Sequence, residues 1–289
     1  MKISLALFAL GASRLIEAHP SSDADRELNA DSLGHCTHKL KTRDPNDPVN
    51  VRKRELVDKL QKKSGLKKCN SYDQDDFWLS DGPTCIPAPQ AAEGPHYDPG
   101  GHIREDITED QQGTILAFGV EFLDVETCEP VTDVFVDVWH ANATGSYSGF
   151  TNPPSTFLRG LQKTDAHGIA QFLTIFPGHH PNRAPHIHFL VHTPHTTIPD
   201  EQDPSASTIV LGNTASHVGQ IYFYQDMIHR VQRLSPYRRN EHHLTLNEDD
   251  KVLREDLEKG GYPFMDVTEL DVDDRGSGSN VSTRGSPYR

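Results

Sequence analysis

Between residues 114 and 226 the apolar residues arrive in short runs, and glycine, proline and small polar residues punctuate them. TILAFGVEFLDV (114–125) is followed by a turn at Glu126–Pro130 and then by DVFVDVWHA (133–141). IAQFLTIF (169–176), HIHFLVH (186–192) and GQIYFYQD (219–226) come next. In DVFVDVWHA, Val134, Val136 and Val138 alternate with Phe135, Asp137 and Trp139. A period of two sends alternate side chains to opposite faces of a strand. Several such strands with turn signals between them predict a β-sandwich. The expected fold class is all-β: a sandwich core with an N-terminal helical extension and a disordered C-terminal tail.

The rest of the chain fits around that core. At 289 residues it is long enough for one large domain or two small ones. Hydrophobic residues make up 35% and the 21 glycines add roughly 7%, which, with Tyr left out, is still below the usual apolar share of about 45–50%, so part of the length is expected to be tail or linker. Net charge is −14, from 42 acidic against 28 basic residues. That balance argues against a nucleic-acid binder, which needs a basic surface. Residues 1–18 read as a signal peptide: Lys2 followed by the apolar stretch ISLALFALGA, with cleavage expected after Ala18. The stretch is too short to span a membrane, which takes about 20 apolar residues. The mature protein is therefore expected outside the cell, with no membrane partner. An even set of cysteines (Cys36, Cys69, Cys85, Cys128) suits an oxidising compartment and two disulfides, with three connectivities open. Asn142 and Asn280 each begin an N-glycosylation sequon.

The expected domain organisation is a signal peptide (1–18), an N-terminal extension (19–84), a sandwich domain (85–267) and a disordered tail (268–289). Within the extension, residues 48–66 read as a helix, with Pro48 at its start, Leu56 and Leu60 one turn apart and Gly65 at its stop. Residues 52–68 carry eight bases against two acids, a net of +6, which leaves −20 on the remainder. This basic helix is either a solvated face or a docking element for an acidic surface, on the chain's own body or on a second subunit of a homodimer.

Histidine is abundant, at 17 residues, and seven of these lie between positions 167 and 195. In His186-Ile187-His188 the two imidazoles fall on one face of a strand and Ile187 on the other, so that both rings can hold one metal ion. The Pro-rich loop 176–185 just upstream is stiff enough to hold another ligand nearby. VDVWHANATGSY (136–147) places a strand end, a small-residue turn and Tyr147 in front of it.

Together these segments resemble the intradiol ring-cleavage dioxygenases, in particular a secreted, fungal-type branch. EGPHY (93–97), VDVWHANATGSY, FPGHHPNRAPHIHF (176–189) and HVGQIYFYQD (217–226) match that family's motifs in order. The resemblance implies a mononuclear non-haem Fe(III) that cleaves catechol-type aromatics with O2 between the hydroxyl-bearing carbons, giving muconate-type diacids. Carried over, Tyr147 is a tyrosinate ligand and His186 and His188 are imidazole ligands. Arg183 stabilises negative charge developing on the substrate, Gln220 is a polar residue near the oxygen site, and Tyr97 contacts substrate. Cys85–Cys128 is the disulfide expected to pin the opening segment to the sandwich, with Cys36–Cys69 bracketing the basic helix.

Two positions depart from the family pattern. His180 stands where a second tyrosinate is expected, and His96 replaces the first tyrosine of the opening segment. A neutral imidazole at 180 can ligate and can accept a proton near pH 7, but it carries one negative charge fewer. That change favours a divalent ion such as Fe(II), Cu or Zn. Alongside the dioxygenase reading stand an altered-metal oxidoreductase and a catalytically inactive sandwich that binds phenolics or wall polymers. His179, His192 and His195 are expected in loops or at the surface, and His140 beside the ligands as a hydrogen-bonding support.

Overall fold

The computed structural model describes residues 102–124, 127–150, 155–192, 195–199, 207–211, 215–259 and 261–265, with Ala12–Ser13, Tyr97, Val267 and five positions between 51 and 58. The strands are β1 (Ala12–Ser13), β2 (Ile115–Phe122), β3 (Phe135–Trp139), β4 (Arg159–Lys163), β5 (Ile169–Ile175), β6 (His186–His192), β7 (His195–Pro199), β8 (Ser207–Leu211), β9 (Ala215–Phe223) and β10 (Phe264–Met265). Two helices follow β9: α1 (Gln225–Gln232) and α2 (Lys251–Glu258). One sheet has the order β1-β2-β5, a second β10-β9-β6-β3-β4, and β7 and β8 form a separate ribbon.

The alternation read from the sequence is what joins the two large sheets. Leu116, Phe118, Val120 and Phe122 of β2 and Phe172 of β5 share one buried cluster with residues of the second sheet. These are Val136 and Val138 of β3, Ile187, Phe189 and Val191 of β6, and Ile221 and Phe223 of β9. Phe122 meets Phe189 edge-on across the two sheets, with ring centroids 6.1 Å apart. Each such side chain contributes roughly 1.5–3 kcal/mol by burial, so this layer dominates the stability of the domain. The all-β sandwich is present as expected.

One expectation needs correcting. The apolar run 219–226 was expected to be strand throughout, yet β9 ends at Phe223 and Gln225 opens α1. Met227, Ile228 and Val231 are buried from that helix into the sandwich core, a helical spacing that five polar residues conceal. Strands β1, β4, β7, β8 and β10 and helix α2 have no counterpart in the sequence pattern. Among the described residues no helix is long and apolar enough to cross a membrane.

Of the predicted basic helix, Val51, Arg52, Arg54, Glu55 and Asp58 are described, and all are helical. Arg52 reaches Asp165, in the turn before β5, at 3.1 Å. The helix thus contacts the chain's own sandwich. Cys128 is disulfide-bonded; Cys36, Cys69 and Cys85, and with them the pairing, lie outside the described residues, as do Asn280 and the tail.

The face of the five-stranded sheet turned away from the core carries a different set of side chains. Arg159, Trp139, His188 and Gln220 stand in register across β4, β3, β6 and β9. His186 and Tyr222 pair one step further along. All seven residues of β6 are buried, so this polar face is covered rather than solvated. Leu253 of α2 packs there with Ala184 and Tyr222.

Candidate metal centre

On that covered face the Nε2 atoms of His186 and His188 lie 3.0 Å apart. Two imidazoles bound to one ion at about 2.1 Å each bring their nitrogens roughly this close. Nδ1 of His186 is 2.6 Å from the Ala184 carbonyl oxygen, which only accepts. Nδ1 therefore carries the ring proton and Nε2 keeps its lone pair for an ion. Burial, reinforced by Arg183, His188 and His180, holds the His186 pKa well below the usual histidine value, so the ring is neutral and competent as a ligand. The His188 ring lies parallel to Trp139, centroids 4.8 Å apart.

Tyr147 arrives from the turn that follows β3. The Asn142 side-chain oxygen accepts from the Thr144 amide (3.1 Å), the Thr144 hydroxyl (3.0 Å) and the Ser146 amide (3.0 Å). Its amide nitrogen donates to Gln111 at 3.0 Å. Asn142, read as a sequon, is thus the organiser of the turn. Gly145 has φ +85°, and a Cβ there would stand 2.3 Å from the His179 carbonyl oxygen. A Cβ on Gly178 would stand 2.3 Å from the Asn142 carbonyl oxygen. The turn and the Pro-rich loop are therefore in backbone contact at two glycines. Beyond Tyr147, the Arg159 guanidinium donates to the Ser148 hydroxyl (2.9 Å) and carbonyl (3.0 Å).

These contacts bring the Tyr147 ring to 5.4 Å from His180 and 6.2 Å from His188. His180 is also 5.4 Å from His186, and His186 is 4.6 Å from His188. Four predicted ligands thus form one ring cluster. Burial pushes the Tyr147 phenol far above its ordinary pKa, with Arg183 and Arg159 pulling partly back; ionising it calls for a cation. Among the described residues His180, His186 and His188 do not by themselves form a group that holds an ion. A site here therefore depends on the Tyr147 phenol, and the donor set of two neutral imidazoles and one buried phenol suits a cation such as iron.

Beside the cluster Arg183 is held on two sides. Its Nε donates to both Asp250 carboxylate oxygens, at 3.1 and 2.9 Å. Its Nη2 donates to Gln220 Oε1 at 2.5 Å and to the Tyr222 hydroxyl at 2.7 Å. Tyr222 in turn donates to Gln220 Oε1 at 2.8 Å; burial holds its phenol well above the usual value, so it keeps that proton. Fully buried Asp250 also accepts from the Ala184 amide at 2.8 Å and caps α2 through the Val252 and Leu253 amides.

Arg183 and Gln220 thus stand beside the ring cluster, whereas Tyr97 lies to one side. It packs on Trp139, centroids 5.2 Å apart, with its hydroxyl 3.5 Å from His192 Nε2. Two histidines, His192 and His140, depart from expectation, while His179 keeps its loop position. His179 and His192 are buried at 4% and 3% exposure. His179 sits against the His242 carbonyl (2.8 Å) and Gln232 (3.2 Å), and His192 faces the covered side of β6. His140 supports no ligand; its Nε2 meets the Thr174 hydroxyl at 2.7 Å and ties the two sheets together. The side chain of His195 and all of His96 lie outside the described residues. Asp250, Tyr222, Trp139 and Arg159 escaped the sequence reading. For Asp250 a signal existed, since an acidic residue before KVLREDLE is a helix N-cap pattern.

Comparison with known proteins agrees with this geometry. The family model described as dioxygenase matches residues 92–229. Catechol 1,2-dioxygenase 2 of Acinetobacter lwoffii is 34% identical over 130 residues, 37% of this chain and 46% of that one. Chlorocatechol 1,2-dioxygenase of Cupriavidus pinatubonensis is 29% identical over 128 residues, 36% and 49% of the two chains. The chain thus spans about half the length of these curated relatives. An intradiol ring-cleavage dioxygenase from Tetranychus urticae superposes with a TM-score of 0.50 at 29% identity, over 64% of this chain and 96% of that one. With the motif order, the sheet and the clustered Tyr147, His186 and His188 in agreement, the matched region, residues 92–229, is what the chain shares with the intradiol ring-cleavage dioxygenases.

Proposed function

We propose that the protein cleaves catechol-type aromatics with O2, between the two hydroxyl-bearing carbons, at a mononuclear non-haem iron held by Tyr147, His186 and His188, with His180 at the fourth position. The observation that carries this reading is the 3.0 Å spacing of the two Nε2 atoms within the same ring cluster as a buried phenol. Iron bound there supplies a Lewis-acidic, redox-active centre that makes a catechol reactive toward O2.

The chain's own residues do the rest. His186 is fixed in its ligand tautomer by the Ala184 carbonyl. His180 offers an imidazole nitrogen to take a proton from an incoming catechol hydroxyl, the part a tyrosinate would otherwise play. Arg183, clamped through Nε and Nη2, has no hydrogen bond from Nη1 among the described residues, so those N–H groups are available to an oxyanion on the substrate. Burial of His186 and His188 excludes bulk water and strengthens each of these interactions. Secretion is supported by the apolar N-terminal stretch and by the disulfide at Cys128. Among the described residues, cleavage after Ala18 would take β1 from its sheet, and N-terminal sequencing of secreted protein, expected to begin at His19, tests it.

The decisive experiment is metal analysis, a visible spectrum and an oxygen electrode on the iron-loaded protein. One iron per chain, a phenolate-to-iron absorption band and catechol-dependent O2 uptake are expected. A colourless protein that fails to retain iron would overturn the reading. His180 favours a second one, in which turnover is lost and phenolic binding kept. Restoring His180→Tyr separates the two: a change in an existing rate makes His180 a working ligand, whereas activity created from none makes the natural protein a binder.

A further inference from the structure

Trp139, fully buried, touches the candidate metal centre on one side and leads away from it on the other. Its indole is parallel to the His188 imidazole, with centroids 4.8 Å apart and an interplanar angle of 0°. Tyr97 packs against the same indole at 5.2 Å, tilted by 53°. The Tyr97 hydroxyl lies 3.5 Å from Nε2 of His192, and Tyr97 is only half-buried. Three aromatic rings therefore run in contact from a ligand candidate toward solvent, with an imidazole beside the outermost.

The chemistry of each ring suits the transfer of single electrons. Indole and phenol are readily oxidised, and rings in van der Waals contact exchange electrons rapidly. Nε1 of Trp139 has no hydrogen-bond acceptor among the described residues. A one-electron-oxidised indole therefore cannot shed its proton there, and stays a strong enough oxidant to draw an electron from a neighbour. Tyr97 is that neighbour, and its proton has somewhere to go: His192 is buried and neutral, since burial lowers its pKa to about 4. A phenol radical cation is acidic enough to protonate even this imidazole.

We propose that His188, Trp139 and Tyr97 form a hole-transfer chain that carries oxidising equivalents from the metal centre to the protein surface and spares the ligands from oxidation. The oxidant is a hydroxyl radical, derived from hydrogen peroxide released when O2 is taken up without ring cleavage, and it is reduced to hydroxide. It removes one electron from Trp139 past the His188 ring. Tyr97 then gives one electron to the Trp139 radical cation, which is restored, and one proton to Nε2 of His192. The remaining tyrosyl radical is quenched by a hydrogen atom from a soluble phenol or thiol, and His192 releases its proton to water. Only the inner end rests on the redox reading of the site.

Laser-flash photoionisation of the full chain, with metal removed by a chelator, tests the Trp139–Tyr97 segment independently of that reading. The substitution Trp78→Phe removes the other tryptophan. In that background the indolyl radical is expected to decay as tyrosyl absorbance grows, at a rate independent of protein concentration. Adding Tyr97→Phe should lengthen the indolyl lifetime by about an order of magnitude and abolish the tyrosyl signal. His192→Gln should slow the growth severalfold. An indolyl lifetime unchanged by Tyr97→Phe overturns the proposal. For the inner end, iron-loaded protein is exposed to hydrogen peroxide and its peptides are mapped by mass spectrometry. Trp139→Phe and Tyr97→Phe should each raise oxidation of His188 and Tyr147 severalfold, and equal oxidation in wild type and both variants overturns it.

Discussion

Tyr147 is a phenol that burial keeps protonated until a cation arrives, so its oxygen serves the site only in the loaded state. Tyr147→Phe should lower iron affinity by at least about tenfold and remove the visible band, while thermal unfolding of the metal-free protein moves little. Arg183 is held differently, by shape as much as by charge. A lysine cannot reach Asp250, Gln220 and Tyr222 together. Arg183→Lys should therefore reduce kcat about 100-fold with a smaller change in KM, as measured by O2 uptake. The His186–His188 pair was legible in the sequence because the period of a strand fixes which side chains share a face. Asp250 was not, since it meets Arg183 across 67 positions of chain, and no periodicity reports such a contact.

The elements that hold these residues are two loops with backbones in contact. Gly178→Ala would set a methyl 2.3 Å from the Asn142 carbonyl, so the loop must move. A loss of about 1–3 kcal/mol is expected, read by denaturant unfolding, together with weaker iron binding as Tyr147 and His180 are displaced. Helix α2 depends on Asp250 twice over. Asp250→Ala should destabilise by about 3–5 kcal/mol, because it strands a largely buried guanidinium, where loss of an ordinary cap costs about 1 kcal/mol. Asp250→Asn, which keeps a capping oxygen, should fall between the two. Long alternating strands such as β3 and β6 were readable because one face is apolar throughout. Helix α1 was not, because its apolar residues are few and follow a strand with one polar-edged residue, Tyr224, between them.

Acid response belongs to the molecule as a whole. Burial lowers His140 and His192 to about 4, against about 6.5 when unfolded. Below pH 6.5 the unfolded chain takes up protons that the folded one refuses, so stability is lost as pH falls toward 4, by up to about 3 kcal/mol for each ring. Asp256 opposes this. Burial raises it to about 6, so its cost appears as pH rises from about 4 to 6. Two rings outweigh one carboxyl, and the melting temperature should climb between pH 4 and 6.5. Asp256→Asn should raise it at pH 7.5 and leave it unchanged near pH 3.5. The proton that His186 gives to the Ala184 carbonyl has a wider consequence. Because that bond closes within three successive residues, the donor nitrogens are preorganised by the strand itself, and an arriving ion finds little chain entropy left to remove. Deuterium uptake along β6 should then differ hardly at all between empty and loaded protein.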